Sequence, residues 1–358
     1  MARRTRLRRR TRFGIMAALA VVLLTTAGAG PALACGGLVG PGGTVKLART
    51  TTLAAWHDGI EHYVTSFEYA GGGAKFGSIV PLPGIPTDVQ KGGDWTLQRL
   101  INETQPQPVV DFAARSGEQA LAADAEVLLK AKVDALNITI LRGGGGQVGT
   151  WARDNGFGLT PDAPEVLDFY AERSPIFMAA AFDPTRVKDR GQQLGQGTPV
   201  HLTIPTDNPW VPLRILGLGL GARDRVEADV YLLTDREPAL LRPDGVSLTS
   251  SAPASQGLLT DLRSDKGMQW LPADHMWLSW LQVDTDAGSL RRDLAIDATG
   301  GGKPSLLEAG MLSATSPLPS SQGSSSLPWP MLIGLGVAAL AAIGWAGLAI
   351  RAERAARS

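Results

Sequence analysis

Twenty consecutive residues, Met331 to Ile350, carry no charge and no strongly polar side chain. As an α-helix at ~1.5 Å per residue they reach about 30 Å, the thickness of one bilayer hydrocarbon core. Trp329 stands at one edge, and Arg351, Arg354 and Arg357 at the other. Indole rings settle at the membrane interface and arginines stay on the cytoplasmic side. The pattern predicts a C-terminal transmembrane helix over 331–350 held in the lipid bilayer. It also predicts a basic cytoplasmic tail over 351–358 and the bulk of the chain outside. Gly334, Ala338, Ala342 and Ala346 recur every fourth residue. Such a stripe lets two helices approach closely, so a weak homodimer through this segment is one expectation.

The other end agrees. Seven arginines precede Gly14, an apolar run extends from Phe13 to Leu24, and Gly28, Gly30 and Pro31 interrupt it before Ala32-Leu33-Ala34. A basic region, an apolar region and an Ala-x-Ala site make a secretory signal over residues 1–34. Arg12 departs from a twin-arginine pattern, which points to the general secretory route. Cleavage after Ala34 leaves Cys35 as the first mature residue. A lipobox reading would attach lipid there, although Ala32 stands where leucine is usual.

Between the ends the chain has a globular composition, 44% hydrophobic and 19% charged, unlike a disordered chain or a coiled coil. The formal charge of +0 conceals an asymmetry. Without the terminal arginines and Glu353, 24 basic residues face 33 acidic ones, a net −9. An acidic middle argues against a nucleic-acid partner. With Cys 1, the chain has no intrachain disulfide and no multi-cysteine metal site. Residues 313–330 are rich in Ser, Pro and Gly and predict a stalk.

Local patterns within 35–312 mix strands with short helices. Thr44–Trp56 and Ile60–Tyr69 flank Asp58-Gly59, the signature of a hairpin with a type I′ turn. Tyr63, Thr65, Phe67 and Tyr69 share one face, expected buried; His62, Val64, Ser66 and Glu68 share the other, expected wet. The prolines of Phe76–Pro86 demand extended chain. Asp94 has the character of an N-cap before Leu97, Leu100 and Ile101. Leu136–Leu141 and Ile176–Phe182 read as strands, Gly143–Gly146 as a turn, and Val148–Asn155 as a helix. Asp162 to Glu165 resembles a capping box opening a helix to about Arg173. Val200–Ile204, Val211–Leu218, Val226–Thr234 and Met276–Asp284 read as strands. Without regular βαβ alternation, the fold class is α+β: mainly antiparallel sheet with a few short helices, in one or two subdomains.

Taken in order, several segments resemble a bacterial family of unknown function, domain-of-unknown-function family 2330. They are Ala34-Cys35-Gly36-Gly37, the hairpin leading into Phe76–Pro83, Trp151–Phe157 with the helix to Tyr170, and Pro209–Arg214. The resemblance spans about Cys35 to Ile296 and implies a secreted or membrane-anchored protein. It brings no activity or catalytic residues with it. Many members of that family carry a second cysteine shortly after the first. Here Leu38-Val39-Gly40 follows, so that local disulfide cannot form.

Candidate chemistry is sparse. His57, Asp58, Glu61 and His62 gather at the hairpin tip. With Asp58-Gly59 as the turn, His57 faces Ile60 across the pair and His62 faces Ala55. The two imidazoles then share a face within reach of one zinc ion, while Glu61 points to the other. A solvated polar hairpin end is the simpler reading. Cys35 is a candidate N-terminal nucleophile with its own α-amino group as base. No G-x-S-x-G elbow accompanies His201 or His275, and Gly143–Gly146 lacks the Lys-Ser/Thr of a P-loop. Asp284 and Asp286 lie on one strand face as a weak calcium candidate. Trp210, Trp270, Trp277 and Trp280 are candidates for either core or ligand groove. No cofactor is expected. Two functions follow: a non-enzymatic binding or structural domain at the cell envelope, meeting a protein or ligand partner there, or an envelope hydrolase or transferase.

Overall fold

The Asp58-Gly59 turn sets the register of the larger of two main sheets. In a computed structural model, which describes residues 37–41, 43–44, 47–69, 75–105, 127–183 and 199–312, both turn residues have positive φ, 49° and 78°. That is the type I′ requirement. It joins β3 (Leu47–His57) to β4 (Ile60–Tyr69), with His57 opposite Ile60 and Ala55 opposite His62, as the sequence predicts. The described residues all belong to one compact unit, whose boundary falls at Ala314.

The fold is α+β, and one strand pair departs from antiparallel order. A seven-stranded sheet runs β14 (Val246–Pro253), β15 (Trp277–Asp286), β12 (Arg225–Thr234), β3, β4, β10 (Val200–Pro205) and β6 (Asp88–Lys91). Its β12 and β3 are parallel. A six-stranded antiparallel sheet runs β2 (Gly43–Thr44), β1 (Gly37–Gly40), β5 (Phe76–Pro81), β9 (Ile176–Phe182), β8 (Leu136–Arg142) and β7 (Val127–Val133). A small third sheet joins β11 (Trp210–Val211), β16 (Leu294–Asp297) and β13 (Ala239–Leu241).

Alternation decides which faces meet. In the larger sheet Ala54, Tyr63, Leu202, Val230, Leu232 and Leu281 belong to the same core as the six-stranded sheet. The intervening residues Leu53, Ala55, Val64, Tyr231 and Leu233 pack instead on α1 (Thr96–Thr104) and α4 (Gln256–Ser264), through Leu97, Leu100, Leu258, Leu259 and Leu262. On the far side, α2 (Gly145–Asp154) packs on β8 and β9 and against α3 (Ala163–Ala171). The result is four layers, helix–sheet–sheet–helix. β9 is buried on both faces along its whole length, which is why its sequence is a continuous apolar run. A Cβ on Gly77 would come within 2.8 Å of Phe157, so glycine lets α2 and its following turn settle onto β5.

Several local expectations change. The His62 face of the hairpin is covered by the outer helices, and His62 and Val64 are buried. Thr44 to Trp56 splits into β2 and β3, and the second half of the glycine run starts α2. Val211–Leu218 is strand only at Trp210–Val211, and then coils into a 3₁₀ turn over Arg214–Gly217. The cause is Asp293, whose Oδ1 accepts the N–H groups of Leu213 at 2.7 Å and Arg214 at 2.9 Å. Asp162 precedes α3 without a side-chain cap bond and accepts instead from Gly219 N. Asp94 pairs with Lys91, and Trp95 precedes α1 without capping it.

The entry of α1 is held from a distance. Asp265, just after α4, accepts from Asp94 N, Trp95 N and the Thr96 hydroxyl at 3.2, 3.1 and 2.7 Å. Asp265→Ala would take the acceptor from all three donors, of which the Thr96 hydroxyl lies in the interior. The expected loss is about 2 kcal/mol in urea unfolding. A change under about 0.5 kcal/mol would mean that water replaces the carboxylate there.

Among the described residues no helix is long and apolar enough to cross a membrane. Residues 331–350, Cys35 and the 313–330 segment lie outside the described residues.

Candidate functional site

The hairpin places a row of polar side chains across the outer face of the larger sheet. Asp235 follows β12, His57 ends β3, His62 lies on β4, His201 on β10 and Gln90 on β6. Register puts His62 opposite Ala55 and Thr203, and His201 opposite Val64 and Gln90. The two histidines are therefore diagonal neighbours, 3.0 Å apart from His62 Nδ1 to His201 Nε2. Gln90 Nε2 donates to His201 Nδ1 at 3.4 Å. That bond assigns the His201 proton to Nε2, from which it is donated to His62 Nδ1. Trp270 covers His62 face to face, with ring centroids 3.6 Å apart and planes at 2°.

Both rings are neutral at ordinary pH. Burial first, then the neighbouring imidazoles of His201 and His57, brings the His62 pKa down to about 3. Burial lowers that of His201 to about 4, against an opposing pull from Asp88. Each ring spends its Nδ1 lone pair accepting a hydrogen bond, so neither offers a nitrogen to a metal without breaking the chain.

His57 sits in a different setting. Its Nδ1 is 2.6 Å from Asp235 Oδ1, and its Nε2 is 3.5 Å from Asp58 Oδ2. One donor atom from each of His57, Asp58 and Asp235 lies within 4.8 Å of the others. The two sequence candidates thus share a face, yet His57 is engaged by Asp235 and His62 by His201. The sequence reading placed His201 in an apolar run and missed its partner, because β4 and β10 are far apart in the chain. Asp235 carried no local signal at all.

Glu61 points the opposite way, into the core between the sheets. It is fully buried, and neither carboxylate oxygen has a hydrogen-bond partner. Burial pushes its pKa well above 4.5. The hairpin tip at Asp58 stays exposed, while Glu61 and His62 behind it are buried.

The remaining candidates are engaged in structure. Asp284 and Asp286 both pair with Arg225. His275 is exposed beside Asp274. Trp280 donates to Asp229 and Trp277 to Ser251. Trp210 stacks on Tyr170 beside a buried polar cluster. There Asp293 accepts from the Tyr170 hydroxyl at 2.8 Å and from Arg173 Nη2 at 2.6 Å. The Arg173 guanidinium lies 4.1 Å from the Phe169 ring centroid and 5.1 Å from that of Trp210. Both charged side chains are buried, at 2% and 0% exposure. Burial raises the neighbouring Glu308 carboxyl to about 6.

No curated protein matches the sequence. Among solved structures, the chain is similar to baculovirus P35, with 9% identity, 71% of this chain and 97% of that chain covered, and a TM-score of 0.40. It is also similar to a mutated baculovirus P35 after caspase cleavage, with 8% identity, 70% and 99% covered, and a TM-score of 0.38. The likeness is loose, and nothing about this chain's activity follows from it. Residues 29–242 match the family described as an uncharacterized protein conserved in bacteria, DUF2330, and the chain belongs to that family.

Proposed function

We propose that this protein is a single-pass, membrane-anchored extracytoplasmic domain that binds a protein or ligand at the bacterial cell envelope and catalyses no reaction. The carrying observation is the boundary of the compact unit at Ala314. It falls where the sequence turns to Ser, Pro and Gly, followed by the uncharged stretch 331–350 and its flanking arginines. That order supports a folded body on a stalk, with the lipid bilayer as its first partner. Residues 1–34 would be removed as a signal peptide, and the tail 351–358 would stay in the cytoplasm. A binding role is supported by how the reactive side chains are used. Arg173, Asp293 and Tyr170 satisfy one another in the interior, and His62 and His201 are buried and neutral.

Protease treatment of intact spheroplasts tests the topology. Cleavage in 313–330 should release a soluble folded body, while an epitope after Ser358 stays protected in the membrane. Loss of that epitope to external protease, or recovery of the whole chain in the soluble cytoplasmic fraction, would overturn the reading. Crosslinking that finds only monomer in membranes would remove the homodimer.

A further inference from the structure

We propose that the hairpin tip is a divalent transition-metal site of the zinc type, with His57 and Asp58 as ligands and Asp235 as the residue that positions the imidazole. It does not depend on how the chain is anchored.

Asp235 accepts the Nδ1 proton of His57 across 2.6 Å. That fixes the tautomer and leaves the Nε2 lone pair facing Asp58. A carboxylate behind a ligating histidine is the usual outer partner of a protein-bound metal. Asp58 Oδ2 stands 3.5 Å from Nε2. Two ligands at ~2.0–2.1 Å from a tetrahedral ion are about 3.3 Å apart, so the pair is already near first-shell spacing. Imidazole with carboxylate oxygen favours zinc over calcium or magnesium, which prefer oxygen alone.

The scaffold holds the pieces from four directions. His57 ends β3, Asp58 occupies the turn, and Asp235 follows β12 next to it in the sheet. Thr206 N donates to Gly59 O at 2.9 Å, tying the loop after β10 to the turn. With His57 and Asp58 as the protein ligands, water completes the shell. His57 and Asp235 side chains are 31% and 21% exposed, so the imidazole is held while its outer nitrogen remains accessible. His62 and His201 stay outside the site, because their ring nitrogens already serve one another and Gln90.

The test is equilibrium dialysis of the full chain in detergent against Zn²⁺, with Cys35 alkylated beforehand so that the thiol cannot bind the metal. One equivalent should be retained. His57→Ala and Asp58→Asn should each abolish it; Asn tolerates the positive φ of that turn position. Asp235→Asn should weaken binding about 10–100-fold. At saturation it should still give the intense visible bands of tetrahedral Co²⁺, which a merely structural loss would not. Circular dichroism checks that each variant is folded. Absence of retained zinc in the parent chain, or undiminished binding in His57→Ala, overturns the proposal and leaves His57–Asp235 a surface ion pair.

Discussion

An Asp293→Ala chain should unfold with about 3–5 kcal/mol less free energy than the parent protein, the range for breaking a buried ion pair from one side. The loss is large because one carboxylate serves four donors. Tyr170 Oη, Leu213 N and Arg214 N converge on Oδ1, and Arg173 Nη2 takes Oδ2. Removing it strands a guanidinium in the interior and unpairs two backbone amides. Its effect should spread to the C-terminal end of the unit, since Arg173 Nη1 also donates to Glu308 O at 2.5 Å. A second change, Arg173→Met, should recover part of the loss by removing the stranded charge. Urea unfolding followed by fluorescence measures both. A loss below about 1 kcal/mol for Asp293→Ala would show that water enters the cluster and takes over its hydrogen bonds.

Replacing Glu61 should do the reverse. Glu61→Met should stabilise the protein by about 1–3 kcal/mol near pH 8, the cost of an unsatisfied buried polar group. The sign follows from the direction of the shift. Burial raises the folded-state pKa of Glu61 above its ordinary 4.5. The neutral carboxyl therefore contributes its full share of stability below about pH 4.5, and loses it as pH rises through the folded value. The gap between parent and variant should widen with rising pH and narrow in acid, where the neutral carboxyl still lacks partners. Glu61→Gln should flatten the pH dependence with a smaller gain, because the amide still lacks partners. A pH-independent difference, or a Met variant less stable at pH 8, would mean that the carboxylate finds a compensating group.

The hairpin was legible because its information is local. Asp58-Gly59 fixes the turn, and the alternation on either side fixes the register. β9, β10, β12 and β15 were legible for the same reason, as runs of apolar residues. What could not be read depends on residues far along the chain. The wet face expected for His62 became a buried one because α1 and α4 lie over it. The strand expected from Val211 to Leu218 lost to a 3₁₀ turn because Asp293 draws in two successive N–H groups. β14 was missed because it lies at a sheet edge and its Ser- and Thr-rich sequence resembles a loop. α4 left a signal that went unread: Ser255 accepts from Leu258 N, and Leu258, Leu259 and Leu262 make a narrow apolar stripe. Of the site, His57 was legible, while Asp235 reaches it only through the parallel pairing of β12 with β3.

That parallel pairing also imposes an order of events during folding. Residues 51–56 find their partners at 229–234, and β15 then closes the far side of β12. The hairpin can zip as soon as its two strands are free to fold, but one edge of β3 must wait for residues 229–234. Its outer face waits longer still, for α4. A partly folded chain therefore carries an open strand edge beside exposed leucines until its C-terminal third docks, a state that invites association with neighbouring chains. A chain cut at the family boundary, residue 242, would keep β12 on β3 but lose β15 and α4, leaving the far edge of β12 open and the outer leucines uncovered.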